Sequence, residues 1–383
     1  MNAWEKHKLN YFLTVSEKKN KNGIFLKTDV LSVSGDFGIV NQIKFQGRSF
    51  AGASVKNYGV VESGDIVYTK SPLKKNPFGI VKVNRGRAGI VSTLYAVYKP
   101  NRTLYSPLVD YYFQSDSKLN NYLRPLVNKG AKNDMKVRNA DVLKGDVIFP
   151  PKLSEQMKVV ESLDNLSDLI AATQQKIDNL EQVKKALLQY LFDQSLRFSG
   201  YSVPWEKHKL GDVLGERKTR GSDLPLLSVT INNGVIRAEE NGRKNNSSSD
   251  LSNYKVVRVG DIPYNSMRMW QGASGYSYFE GIVSPAYTVL VPKNQNDGLF
   301  WSYCLKRGDM LSLFTRFSQG LTSDTWNLKY PQLSAIQVKA PRKPEQVQIS
   351  DMLRKIDYLI TATQSKLFGY QQLKKSLLQR LFV

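Results

Sequence analysis

Two groups of basic and amide side chains are the residues of this sequence best suited to chemistry with a polyanion. The first comprises Lys70, Lys74, Lys75, Lys82, Arg85 and Arg87. The second comprises Asn265, Arg268, Trp270 and Gln271, with Arg237, Arg243, Lys244, Asn245 and Asn246 in the loop before it. A lysine ammonium holds phosphate as a point charge, whereas Arg, Asn and Gln can bind a base edge through two hydrogen bonds. Trp270 could pack on a sugar, on a base edge or in the core. Taken singly, each charged residue is more simply a solvated surface charge. As a set, in a chain of formal net charge +22 and pI about 9.7, they point to nucleic acid. A charge kept for solubility needs neither this sign nor this size. An acidic membrane surface would call for an apolar span or a clustered polybasic anchor, and the sequence has neither.

Catalytic constellations are missing. There is no Gly-x-x-x-x-Gly-Lys-Ser/Thr loop and no His-Glu-x-x-His. The two histidines, His7 and His208, occupy the same place in a repeated segment, without a second ligand beside either, and read as structural. Phe149-Pro150-Pro151-Lys152 has the prolines of an amino-methyltransferase motif without the preceding amide or acid. Glu206-Lys207-His208-Lys209 contains a Glu-x-Lys pair, weak evidence for a metal-dependent nuclease without a supporting acid on an adjoining strand. Cys304 is the only cysteine, which excludes a disulfide frame and a cysteine-based metal site. With no positive-then-apolar signal at the N-terminus, a reducing, cytoplasmic location is the expectation.

The elements that position these residues occur twice. Trp4-Glu5-Lys6-His7-Lys8-Leu9 returns letter for letter as Trp205-Glu206-Lys207-His208-Lys209-Leu210. Gly64-Asp65-Ile66 returns at Gly260-Asp261-Ile262, and Gly89-Ile90-Val91-Ser92 at Gly281-Ile282-Val283-Ser284. The order is kept throughout, so this is a duplicated domain and not a short-period solenoid. The basic groups fall where the copies diverge. Residues 30–33, 65–68 and 89–98 predict strands, and 108–122 predicts a helix. Pro150-Pro151 then punctuates the chain. Leu163, Leu166, Ile170, Thr173, Ile177, Leu180, Lys184, Leu187 and Leu191 step by alternating threes and fours. After Pro341 and Pro344 the same seam returns as Leu353, Ile356, Ile360, Thr363, Leu367, Tyr370, Lys374, Leu377 and Leu381. These heptad spacings predict two matched long helices that pair as a coiled coil. Docking of each helix on its own domain is the simpler rival. An internal two-fold would make the pair antiparallel, a rod about 43 Å long at about 1.5 Å per residue. The fold class is α+β, with two similar mixed domains at 1–150 and 197–340 and spacer helices at 151–196 and 341–383.

In this duplicated order the segments resemble the specificity (S) subunit of Type I DNA restriction–modification systems. The resemblance rests on Gly64-Asp65-Ile66-Val67-Tyr68 and Gly260-Asp261-Ile262-Pro263-Tyr264, on the Gly-Ile-Val-Ser strands, and on Pro-x-x-x-Glu-Gln at 151–156 and 341–346. Lys184-Lys185-Ala186-Leu187-Leu188-Gln189 and Lys374-Lys375-Ser376-Leu377-Leu378-Gln379 complete it. It spans essentially the whole chain. It implies a non-catalytic subunit with two target-recognition domains, each reading one part of a split double-stranded DNA sequence. It also implies spacer helices that dock two methyltransferase (M) subunits, with restriction (R) subunits joining the complex. S-adenosylmethionine, ATP and magnesium would then belong to those partners, leaving no cofactor, metal or catalytic residue here. One departure is that the second copy has a lead, Asp193 to Pro204, that the first lacks, which bears on closure of the ends into a ring. Two other readings stay open: an autonomous DNA-modifying or DNA-cleaving enzyme, and a coiled-coil scaffold without DNA readout.

Overall fold

The computed structural model describes residues 4–129, 135–242, 250–293 and 296–382. The chain divides into two compact units, one of Met1–Thr173 with Lys366–Val383 and the other of Gln174–Ser365. Each therefore holds one mixed domain, part of the helix that follows that domain and part of the other long helix.

In the first unit an antiparallel four-stranded sheet runs in the order Leu13–Val15, Tyr95–Pro100, Ile66–Thr69, Val81–Val83. Gly59–Val61 pairs with Gly89–Val91, and Leu31–Ser34 forms a hairpin with Gly38–Asn41. The repeated Trp-Glu-Lys-His-Lys segment supplies the strand Glu5–Lys8, which pairs with Asp146–Phe149 just before the first long helix. The second unit repeats this plan. Leu214–Glu216, Tyr287–Pro292 and Ile262–Asn265 form a three-stranded sheet. Lys255–Val257 pairs with Gly281–Val283, Leu227–Thr230 with Gly234–Arg237, and Glu206–Lys209 with Gln337–Ala340.

Two expected elements are each split in two. Residues 89–98 form separate strands, because a turn at Ser92, closed by Tyr95 N–H donating to Ser92 O at 3.1 Å, moves the chain from one sheet to the next. Residues 108–122 form helices Pro107–Tyr112 and Asp116–Leu123. The second starts afresh at Ser115, whose hydroxyl accepts from the Lys118 amide at 3.4 Å as an N-cap.

The long helices are Leu153–Phe192 and Lys343–Leu381. The first contains neither Gly nor Pro and ends where Gln194 turns to a left-handed φ of 66°, a C-terminal stop. Pro344 sits in the first turn of the second, where its missing N–H costs nothing. In the first unit Leu377, Leu378 and Leu381 pack on the cluster that contains Leu163, and Lys374 Nζ donates to Ser167 Oγ at 2.8 Å. In the second, Lys184 pairs with Asp357 at 2.6 Å, and Leu187 and Leu191 pack with Ile349 and Leu353. Within each unit, partner numbers fall as helix numbers rise, so the segments run antiparallel. Leu163, Leu166, Ile177, Leu191, Leu353, Ile356 and Thr363 are buried. Ile170, Thr173, Leu180, Lys184, Leu187, Ile360, Leu367, Tyr370, Lys374, Leu377 and Leu381 are half-buried.

The Pro-x-x-x-Glu-Gln segments clamp each mixed domain to the helix that leaves it. Buried Gln156 donates to Pro150 O and Thr103 O at 2.9 and 3.0 Å and accepts from the Tyr105 amide at 2.7 Å. Buried Gln346 donates to Pro341 O and Asn296 Oδ1 at 2.8 and 3.2 Å and accepts from the Asp297 amide at 2.8 Å. The preceding glutamates diverge. Glu155 accepts from Trp4 Nε1 at 3.1 Å, whereas Glu345 takes both ends of the Arg197 guanidinium at 3.0 and 2.7 Å. Arg197 comes from the segment 193–204 that precedes the second copy.

Because the Glu345 side chain is 3% exposed, removing its partner strands a buried charge. Arg197→Ala is expected to destabilise by about 3–5 kcal/mol. The exposed pair Arg342–Glu206, 3.5 Å apart, is a control worth at most about 1 kcal/mol. Urea titration followed by tryptophan emission, with Trp205 and Trp301 in the affected core, measures both; equal shifts would show that Glu345 is not held by Arg197.

Candidate nucleic-acid interface

The repeated motifs build a frame, and the divergent loops hang from it. Gly64 and Gly260 take φ of 87° and 97°, a backbone that side-chain-bearing residues rarely adopt. The next residue closes the turn: Asp65 accepts from the Glu62 amide at 2.7 Å, and Asp261 from the Arg258 amide at 2.8 Å. Asp261 is further held by Arg217 at 2.7 and 2.9 Å, and Asp65 by Lys99 at 3.2 Å. Burial pushes the Asp65 carboxyl above its ordinary range, while Lys18 and Lys99 hold Glu62 down at about 2. Gly89 and Gly281 answer another need, since a Cβ there would lie 2.5 Å from Asp29 O or from Pro225 O. Gly-Asp-Ile and Gly-Ile-Val-Ser are thus structural. His7 also belongs to the frame, stacked on Tyr11 at 4.4 Å and 3.0 Å from Glu5 Oε2.

In the first unit Lys70, Lys74 and Lys75 lie on the connection between Ile66–Thr69 and Val81–Val83, with Lys74 and Lys75 exposed. Lys70 is half-buried, and desolvation first, then Lys19, lowers its pKa. Lys82 stands half-buried within the strand opposite Val67. Arg85 and Arg87 leave that strand on one loop, and the structure separates them. Arg85 donates to Asp110 at 3.1 Å, to Asp164 at 2.7 Å and to Pro107 O at 3.3 Å, over the Tyr111 ring. Arg87 is exposed and makes no side-chain hydrogen bond or ion pair among the described residues; it borders a 390 Å³ hollow with Lys44, Asn41 and Asn84.

In the second unit Asn265, Arg268, Trp270 and Gln271 share one turn closed by Gly272 at φ 85°. Asn265 Oδ1 accepts from the Met267 amide at 3.0 Å, and Trp270 donates to Met267 O at 3.1 Å while packing edge-on to Trp326. These bonds leave the Arg268 side chain exposed and without a partner among the described residues. Arg237 ends a hairpin strand elsewhere on the domain, over Phe279. Arg243 and Lys244, with Asn245 and Asn246, lie outside the described residues.

A second surface of the first unit lies outside the basic groups that the sequence singles out. Phe37, Phe45 and Phe50 are 68%, 45% and 55% exposed; Phe37 and Phe45 are in ring contact, and Arg48 lies over Phe50. Exposed rings beside cations suit base or sugar stacking. Their crowding between Gly35 and Phe50, among Lys44 and Arg48, is the signal that was available.

Lys184 and Lys374 stand at seam steps, and each carries its ammonium to a polar partner on the opposite helix and to a domain tyrosine. Tyr303 donates to Asp357 at 2.6 Å, and Lys184 lies 5.8 Å from its ring centroid. Tyr111 donates to Asp164 at 2.5 Å, and Lys374 lies 5.7 Å from its ring centroid. Burial first, then the Asp164 hydrogen bond, pushes the Tyr111 hydroxyl up to about 12. Beside Tyr303 a cleft of about 1200 Å³ is lined by Lys184, Asn233, Tyr276, Lys306, Arg307 and Arg354. Among the described residues, no group of three or more His, Cys, Asp or Glu could hold a metal ion.

The S subunit of a Type I restriction–modification system from M. genitalium has a similar fold, at TM-score 0.59 and 13% identity, over 100% of this chain and 97% of that one. The HsdS subunit from Thermoanaerobacter tengcongensis aligns over 100% and 97%, with 15% identity and TM-score 0.48. A structure described as underlying complex assembly and conformational transition of the type I R-M system aligns over 99% and 97%, again with 15% identity and TM-score 0.48. Residues 202–367 match the family described as the Type I restriction modification DNA specificity domain. That segment is thus similar to a Type I restriction–modification specificity domain, within a chain whose fold is similar to that of the M. genitalium S subunit.

Proposed function

We propose that this chain is the DNA-recognition subunit of a Type I restriction–modification complex, with each mixed domain reading one part of a split target. The observation that carries this reading is one frame used twice with different loops on it. The Gly-Asp-Ile turns and Gly-Ile-Val-Ser strands recur, while Lys70–Arg87 in one copy and Asn265–Gln271 in the other share neither residues nor shape. A structural duplication has no need of that divergence; two reading heads for different bases do. Lys74, Lys75 and Arg87 suit phosphate, and Arg268 with its amide neighbours suits base edges. The long helices dock methyltransferase subunits, with restriction subunits joining the assembly. S-adenosylmethionine, ATP and magnesium act in those partners. Among the described residues, no helix is long and apolar enough to cross a membrane.

The purified chain with S-adenosylmethionine, magnesium and ATP is expected to neither methylate nor cut DNA, and turnover by the chain alone would sink the assignment. In the assembled complex, replacing residues 205–340 with another such domain should change one half of the methylated sequence and leave the other intact. Sequencing of methylated sites reads this directly, and a change in both halves or in neither refutes independent readout. Arg87→Ala should weaken binding to all sequences and lower the slope of log affinity against log salt by about 1, as for a lost phosphate contact. Affinity titrations across a salt series measure it; an unchanged slope in a folded variant removes Arg87 from the DNA.

A further inference from the structure

In each unit the mixed domain meets the long helices at a junction of tyrosine, carboxylate and lysine. Tyr111 and Tyr303 come from matching helices of the two copies, Pro107–Tyr112 and Gly298–Leu305. Lys374 and Lys184 are the first lysines of the two Lys-Lys-x-Leu-Leu-Gln segments. The carboxylates do not match. In the register fixed by Glu155-Gln156 and Glu345-Gln346, Asp357 stands where the first copy has Ser167, and Asp164 stands where the second has Arg354. The acid has moved by three residues, about one helical turn, and the tyrosine still finds it. Duplication alone preserves residues. Here the residue changed and the bond stayed, which singles out the bond as the feature under constraint.

The junction lies well along the helix from the glutamine clamp. Gln346 to Asp357 is about 16 Å of helix and Gln156 to Asp164 about 12 Å, at about 1.5 Å per residue. One attachment point leaves a domain free to tilt about it, whereas two separated points fix the tilt. In the first unit Arg85 reinforces the second point by joining Asp110 of the domain to Asp164 of the helix. In the second unit the equivalent helix position carries Arg354, which lines the open cleft, so Lys184–Asp357–Tyr303 carries the second point.

We propose that Tyr111, Asp164, Arg85 and Lys374 in one unit, and Tyr303, Asp357 and Lys184 in the other, are positioning residues that fix the angle of each recognition domain on its helices and thereby the gap tolerated between half-sites. This rests on the split-target reading above. These side chains touch one another and need not touch DNA, so their loss alters spacing and leaves the bases read unchanged.

The test uses the assembled complex with S-adenosylmethionine and a DNA library in which the wild-type half-sites are separated by gaps varied one base pair at a time. Asp357→Lys sets an ammonium against Lys184. It is expected to lower the preference for the native gap over its neighbours by about 10-fold, since misplacement by about 1 Å can cost about 100-fold in rate. Lys184→Asp should do the same, and the two together, with the charges exchanged, should recover part of the preference, short of wild type because a lysine at position 357 cannot accept from the Tyr303 hydroxyl. Tyr303→Phe removes only a hydroxyl and is expected to relax the gap by several-fold, which keeps the test informative where charge variants fail to assemble. Unchanged gap preference in assembled Tyr303→Phe overturns the proposal. So does failure of the exchanged pair, once assembled, to recover any of it, or a change in the half-site bases when the sites methylated by the variant complex are sequenced. A wild-type complex with no split target would instead overturn the reading on which the proposal rests.

Discussion

In each unit the apolar core of the mixed domain is completed by side chains from both long helices, and the rest of the architecture follows from that shared burial. Leu163 and Phe382 are buried among Phe12, Tyr112 and Phe149 in one unit, and Leu191, Phe192 and Leu353 among Trp205, Phe300 and Trp301 in the other. Fully burying such a side chain contributes roughly 1.5–3 kcal/mol, so a domain stripped of its helices loses a large part of its stability. The aromatic contact at the helix end is made twice. Phe192 meets Trp205 with centroids 6.0 Å apart, and Phe382 meets Trp4 at 5.7 Å. In one unit the partners are near neighbours in sequence, and in the other they come from opposite ends of the chain. The packing is indifferent to connectivity. Contact between Trp4 and Phe382 therefore makes, between residues far apart in sequence, the packing that Phe192 and Trp205 make between near neighbours.

The frame was legible because its signals are local. A turn glycine, the aspartate that closes it and the β-strand after it are adjacent in sequence, and finding them twice marks them as one unit. Helical spacing is equally local, so both long helices could be read. The breaks within residues 89–98 and 108–122 were hidden because apolar and aromatic residues lie on both sides of each. What breaks the first is a change of partner strand, and what breaks the second is a serine cap that follows Tyr111, Tyr112 and Phe113.

The candidate site was legible as a composition but not as a geometry. Arg85 and Arg87 are two residues apart on one loop, and nothing local tells them apart. Asp110 and Asp164, distant in sequence, engage the first and leave the second in solvent. Phe37, Phe45 and Phe50 have the residue type of a core, and only folding shows them exposed. Lys184 and Lys374 occupy seam steps because an aliphatic stem can lie along an apolar stripe while its ammonium reaches outward. Spacing reveals the stem; the carboxylate or hydroxyl that receives the charge comes from the opposite helix.

The same division explains where the net charge is expressed. Many acids are engaged internally: Asp65 and Asp261 close turns, Glu345 receives Arg197, and Asp110, Asp164 and Asp357 bind domains to helices. Lys74, Lys75, Arg87 and Arg268 are exposed in divergent loops without ion pairs among the described residues. A surplus of +22 is therefore not spread evenly over cations of equal freedom. Within the frame these acids hold cations and turns in place, while the divergent loops present Lys74, Lys75, Arg87 and Arg268 to the solvent. Such loops can change sequence without loosening the core, since their charges hold nothing in place. A frame that fixes geometry with its acids and carries unpaired cations on divergent loops can change those loops while keeping its fold.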